Sequence, residues 1–156
     1  MDISNYQGKI SVANFKKAKK AGIKFVILKL GYTGYEKYIC KLDSAFENNY
    51  KNAIAAGLPV GIYYYSLGKS YKHGKEEAEF CIKHLKGKEI QWPVYIDVED
   101  SKYRQKNATK TELAECCNGF CDTMAKAGYV PGVYASTSWF NSKIGNIKSD
   151  HTKWVA

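Results

Sequence analysis

The sequence predicts an α/β fold built on a parallel sheet, and three observations predict it. Short apolar runs rich in β-branched and aromatic residues alternate with amphipathic stretches of helical period along the whole chain. The runs are near-continuously hydrophobic, as in strands covered by helices on both faces. Six of them fall within 156 residues with no linker between them, which describes a single domain over residues 1–156. A complete eight-unit barrel needs roughly 200 residues or more, so the sheet is expected either to be open or to form an incomplete barrel.

The first strand is MDIS, and the helix after it is SVANFKKAKKAG, where Val12, Phe15, Ala18 and Ala21 recur on one face. KFVILKLGY is the second strand. A loop through Tyr38 leads to a helix over 42–56, closed by Gly57, the residue type that commonly ends a helix. LPVGIYYYS reads as the third strand and HGKEEAEFCIKHLKG as its helix. PVYIDVED is the fourth strand. The segment 109–128 is the next helix, with Thr109 and Glu112 at capping-box spacing. PGVYAS, the short helix TSWFNSKIGNI and the strand TKWVA complete the series.

Composition narrows the function classes. A hydrophobic content of 45% with 14% aromatic residues suits a soluble globular domain and excludes a disordered one. No apolar run reaches the length of about 18 residues that would span a bilayer, so membrane insertion is not expected. The start MDISNYQGK lacks the basic and apolar segments of a secretory leader. The net charge of +9 favours anionic partners such as nucleic acid, membrane surfaces or a cell wall, but it also fits a lysine-rich solvated surface. No arginine-aromatic array that reads bases is present, and nucleic acid is not expected as a partner. The cysteines are odd in number, Cys40, Cys81, Cys116, Cys117 and Cys121, and the CCNGFC cluster has neither the CxxC pairs nor the histidines of a zinc site, so they are expected to be structural thiols rather than a disulfide or a metal site.

The chemistry concentrates in PVYIDVEDS, where Asp97, Glu99 and Asp100 close an apolar run. Side chains two apart on a strand share a face, so Asp97 and Glu99 are expected to point together with Cα atoms about 6.6 Å apart. They stand at the C-terminal end of a parallel strand, where barrels and doubly wound sheets build their sites. Two such carboxylates repel, which predicts one raised pKa beside an ionised partner. Simpler readings are that these acids cap the next segment or pair with a lysine, and a divalent cation would also suit the triplet. Asp100 steps off the inward register. Asp2, at the end of the first strand, can face the same mouth.

Of 13 tyrosines, Tyr32, Tyr63, Tyr65 and Tyr134 lie at strand ends. Carboxylates on the floor of a cleft with aromatic walls suit a sugar polymer, whose rings stack and whose hydroxyls hydrogen-bond. Half-buried strand tyrosines need no ligand, so each one alone also has an ordinary structural account. The nucleophile-elbow, phosphate-loop, zinc-protease and dinucleotide motifs are absent, and His73, His84 and His151 fall on helices or loops, so neither cofactor nor metal is expected.

DISNYQG, FVILKLGYTG, AGLPVGIYYYS, PVYIDVED, AGYVPGVYAS with WF following, and KWVA, in that order, resemble glycoside hydrolase family 25, the N-acetylmuramidase lysozymes of bacteria and their phages. The resemblance covers essentially the whole chain. It implies a distorted TIM-like β/α barrel that cleaves the β-1,4 bond between N-acetylmuramic acid and N-acetylglucosamine in peptidoglycan. By position it makes Glu99 the general acid, with Asp97 and Asp2 as supporting carboxylates. Tyr32, Tyr63 and Tyr65 correspond to its aromatics, and Lys29 stands where many members carry arginine. The family pattern continues past KWVA to further strands and another aspartate. The barrel is therefore expected to be incomplete, about six parallel strands without the closing ones, with unpaired edges open to self-association.

The resemblance implies peptidoglycan glycan strands as the partner, and action outside the cell or in the wall, reached by secretion or phage release. The competing expectation is an inactive remnant or a wall-binding module, because closure and one acid lack counterparts. A glycosidase acting on chitin-like polymers is a third.

Overall fold

The structure, a computed structural model, describes residues 1–148 and 151–156. Its elements are β1 (Asp2–Ile3), α1 (Val12–Lys20), β2 (Val26–Thr33), β3 (Cys40–Leu42), α2 (Phe46–Ala55), β4 (Val60–Tyr65), α3 (Tyr71–Leu85), β5 (Val94–Asp97), α4 (Lys110–Lys126), β6 (Pro131–Ala135), α5 (Thr137–Ser142) and β7 (Thr152–Val155). Six strands pair in parallel in the order β1-β2-β4-β5-β6-β7. They curl into half a barrel, the incomplete barrel expected from the chain. Among the described residues β1 and β7 do not pair with each other.

Local chemistry sets where the helices begin. Ser11, Ser70, Thr109 and Ser136 each accept a hydrogen bond from the backbone N–H three residues on, satisfying a donor that a helix start leaves free. At Thr109 the expected capping box forms, with Glu112 returning to the Thr109 N–H at 2.7 Å. Gly57 follows α2 at φ +70, the conformation expected of a glycine that ends a helix.

Several elements differ from expectation, including the short helix over TSWFNSKIGNI, which ends at Ser142. The loop through Tyr38 contains β3, which pairs antiparallel with the end of β2 where the two-residue β1 does not reach. The following helix starts at Phe46, not at 42, because Asp43 makes the turn: its Oδ1 accepts from Ala45 N and its Oδ2 from Asn5 N. The fourth strand ends at Asp97, short of the expected PVYIDVED.

The core lies between sheet and helices, with Leu28, Ile62, Ile96 and Val133 from the strands against Phe15, Phe46, Leu85 and Phe120. Helices α3 and α4 cross at backbone contact: a Cβ at Gly74 would overlap the carbonyl oxygen of Cys116, and one at Gly119 the carbonyl oxygen of Tyr71. Cys81, Cys116, Cys117 and Cys121 are buried and Cys40 is half-buried.

One charged side chain enters this core. Glu77 on α3 is fully buried and accepts from Thr33 Oγ1 and Ser66 Oγ, both at 2.6 Å. Burial outweighs these donors and pushes its carboxyl up to about 7. The unfolded chain ionises at the ordinary carboxylate pKa, so this group favours folding below about pH 4.5 and loses that contribution as pH rises through 7. Between those limits the loss approaches about 3 kcal/mol. Urea unfolding of Glu77→Gln across this window is expected to gain about that much relative to the parent as pH rises. A constant difference between the two would remove the titration from Glu77.

Candidate functional site

The sheet's register brings the candidate residues into one row. Tyr32 pairs with Tyr65, Tyr65 with Asp97, Asp97 with Tyr134 and Tyr134 with Trp154, all at C-terminal strand ends. Alternation along β4 turns Tyr64 toward the helices, where it meets Thr33 and Phe80, and leaves Tyr63 and Tyr65 on the other face.

At the middle of the row is a pocket of about 350 Å³ lined by Asp2, Tyr63, Asp97, Glu99, Tyr134 and Trp154, with Ala156 at its edge. Three acids from β1 and the end of β5 therefore meet in space. Glu99 lies just past β5 and is half-buried, whereas Asp97 is almost fully enclosed. Burial raises the Asp97 pKa well above its usual value, the Glu99 carboxylate adds to the rise, and Lys29 opposes it. Burial also raises Glu99. The spacing argument predicts one raised carboxyl; the structure raises both, Asp97 the more. Asp97 Oδ1 accepts no hydrogen bond among the described residues.

Lys29 lies on β2 with its Nζ 5.2 Å from the Tyr32 ring centre and 5.3 Å from that of Tyr65. Burial lowers its pKa while Asp43 and Asp97 hold it up. Tyr65 thus faces this ammonium and does not line the acid pocket, and Tyr32 lines a neighbouring pocket.

Asp100 is absent from the acid pocket and is buried elsewhere. Its Oδ1 accepts from Lys102 N and Tyr103 N, and its Oδ2 from Gln105 N, so it organises the loop after β5. His73 accepts the Lys69 N–H and stacks on Tyr38, and His84 packs against Phe80, both away from the acids. Among the described residues no group of three or more His, Cys, Asp and Glu is placed to hold a metal ion, and no helix is long and apolar enough to cross a membrane.

The sequence reading did not single out Trp154. It stands beside Tyr134 at 4.5 Å and Tyr95 at 5.3 Å between ring centres, closing the side of the pocket opposite Tyr63. Its signal was available: it occupies the strand-end position in TKWVA that Tyr32, Tyr65 and Tyr134 occupy in β2, β4 and β6.

Comparison with known proteins matches this architecture. The sequence model of glycosyl hydrolases family 25 matches residues 1–156. A curated relative, the autolytic lysozyme of Clostridium acetobutylicum, is 25% identical over 99% of this chain and 44% of its own length. The modular autolysin LytC from Streptococcus pneumoniae, solved also in complex with a synthetic peptidoglycan ligand, superposes with a TM-score of 0.77 at 28% identity, over 90% of this chain and 33% of that one. A family 25 glycosyl hydrolase from Bacillus anthracis has the same fold, with a TM-score of 0.79 at 21% identity, over 99% of this chain and 67% of that one. The chain spans less than half the length of the lysozyme and of the autolysin.

Proposed function

This chain belongs to glycosyl hydrolases family 25, and on that premise we propose that it is a lysozyme cutting the β-1,4 bond between N-acetylmuramic acid and N-acetylglucosamine in bacterial peptidoglycan. The observation that carries this reading is the acid pocket itself. Asp97 and Glu99, both with raised pKa, share it with Asp2 between aromatic walls at the C-terminal ends of a parallel sheet.

Glu99, raised yet accessible, keeps a proton nearer neutral pH than a free glutamate and gives it to the leaving glycosidic oxygen. The enclosed Asp97 Oδ1, with no donor among the described residues, accepts the N–H of the substrate's 2-acetamido group. That orients the acetamido oxygen to attack the anomeric carbon as the glycosidic bond breaks. Water then opens the cyclic intermediate, returning a proton to Glu99, with net retention. Asp2 adds negative charge facing the oxocarbenium-like transition state. Tyr63, Tyr134 and Trp154 hold sugar rings across the cleft. The positive net charge draws the protein to anionic wall polymers, an attraction that salt weakens, and its place of action is the wall outside the membrane.

Release of reducing ends from purified peptidoglycan, with muramic acid at the new end, is the expected result. Proton NMR of the first-formed product is expected to show the β anomer; the α anomer would replace the acetamido route by direct attack of water.

A second reading, a non-catalytic wall-binding module, is favoured by the aromatic walls of the pocket, Tyr63, Tyr134 and Trp154, which suit sugar rings with or without turnover. Walls that bind the chain but release no reducing ends would select it.

A further inference from the structure

A second concavity, about 690 Å³, lies beside the acid pocket and is not lined by any of the three acids. Tyr32 forms its inner wall, and Tyr35, Tyr103 and Ile39 its outer one. Tyr32 is two strands from Asp97 in the register row, about 10 Å at the usual strand spacing. Tyr35 comes from the turn between β2 and β3, and Tyr103 from the loop after β5. Their rings meet at 4.1 Å between centres, yet Tyr35 is 47% and Tyr103 53% exposed, and Ile39 adds 50%.

Exposed aromatic and aliphatic surface concentrated in one hollow marks a binding surface more than a folding requirement. The pair is also held in place. Buried Asp100 accepts the Tyr103 N–H at 3.0 Å, and Gln105 ties the same loop to Gly68 O at 3.1 Å. The third acid of the DVED run thus positions an aromatic platform. Lys37, Lys41 and Glu36 edge the hollow with donors and an acceptor for hydroxyl and acyl groups.

We propose that this hollow is a distal subsite for an N-acetylhexosamine unit of the same glycan strand, remote from the bond being cut, with the sugar's apolar face on the Tyr35–Tyr103 pair. The inference rests on the glycan reading of the acid pocket. It makes affinity depend on strand length.

The test uses the full chain carrying Glu99→Gln to suppress turnover, with β-1,4-linked N-acetylglucosamine dimer and hexamer as probes in calorimetry. These oligomers carry no peptide, so a gain with length isolates the sugar contribution. The hexamer is expected to bind more tightly than the dimer, and Tyr103→Ala or Tyr35→Ala to cut that gain roughly 3- to 10-fold. Tyr103→Phe, which keeps the ring, is expected to retain it. Dimer binding with a length gain untouched by both alanine variants would overturn the subsite and leave the glycan reading of the acid pocket standing. Absence of binding by either oligomer would overturn both. Circular dichroism of each variant confirms the fold, which these exposed loop positions do not support.

Discussion

Glu99→Gln is expected to abolish wall clearing, lowering the rate of reducing-end release by roughly 10²–10⁴-fold, the contribution of a positioned general acid. Glutamine keeps the shape and one acceptor, but its amide protons are not acidic enough to transfer to the leaving oxygen. The half-buried position of Glu99 argues that the fold tolerates the change, so thermal unfolding should barely move. Equal clearing of turbid wall suspensions by parent and variant would exclude Glu99 from catalysis. Because burial raises Glu99, the active, protonated fraction is expected to persist to higher pH than for a free glutamate and to fall as pH rises through that raised value.

The largest effect on stability is expected from Gly74→Ala. The added methyl group has nowhere to go, because the space is already occupied by the α4 backbone at Cys116, and α3 cannot move off without opening the core around Phe120 and Cys81. Overpacking against backbone of this kind costs about 3 kcal/mol, or roughly 6–12 °C in midpoint for a chain of this size. Differential scanning calorimetry reads it directly. An unchanged midpoint would mean that the two helices separate at little cost.

How much of this was legible in sequence depends on how far each feature reaches along the chain. The parallel strands and long helices were legible because periodicity, caps and glycine ends are local, and the Asp97–Glu99 pair because alternation is. β3 escaped because three residues carry no periodic signal and its pairing with β2 is set by where β1 stops. The gathering of Asp2, Trp154 and Tyr63 around one pocket depends on strand order, which joins residues at opposite ends of the chain. The Tyr35–Tyr103 pair joins two loops whose approach no spacing rule encodes. Glu77 was hidden in the charged run KEEAE, although Gly74, Ala78, Cys81 and Leu85 trace the buried stripe on which it falls.

The brevity of β1 bears on when the pocket exists at all. Asp2 is carried by two residues, registered to Ile27 and Leu28 on one side and, among the described residues, unaccompanied by a strand on the other. So small a ribbon opens locally at far lower free energy than the whole domain unfolds. Its amides are expected to exchange with solvent long before those of β4. In each such excursion the pocket loses one of its three carboxylates while the Asp97–Glu99 pair stays in place. Heating should therefore erode activity before it erodes the helical signal, with the site's lifetime set by fraying at the first strand rather than by the core.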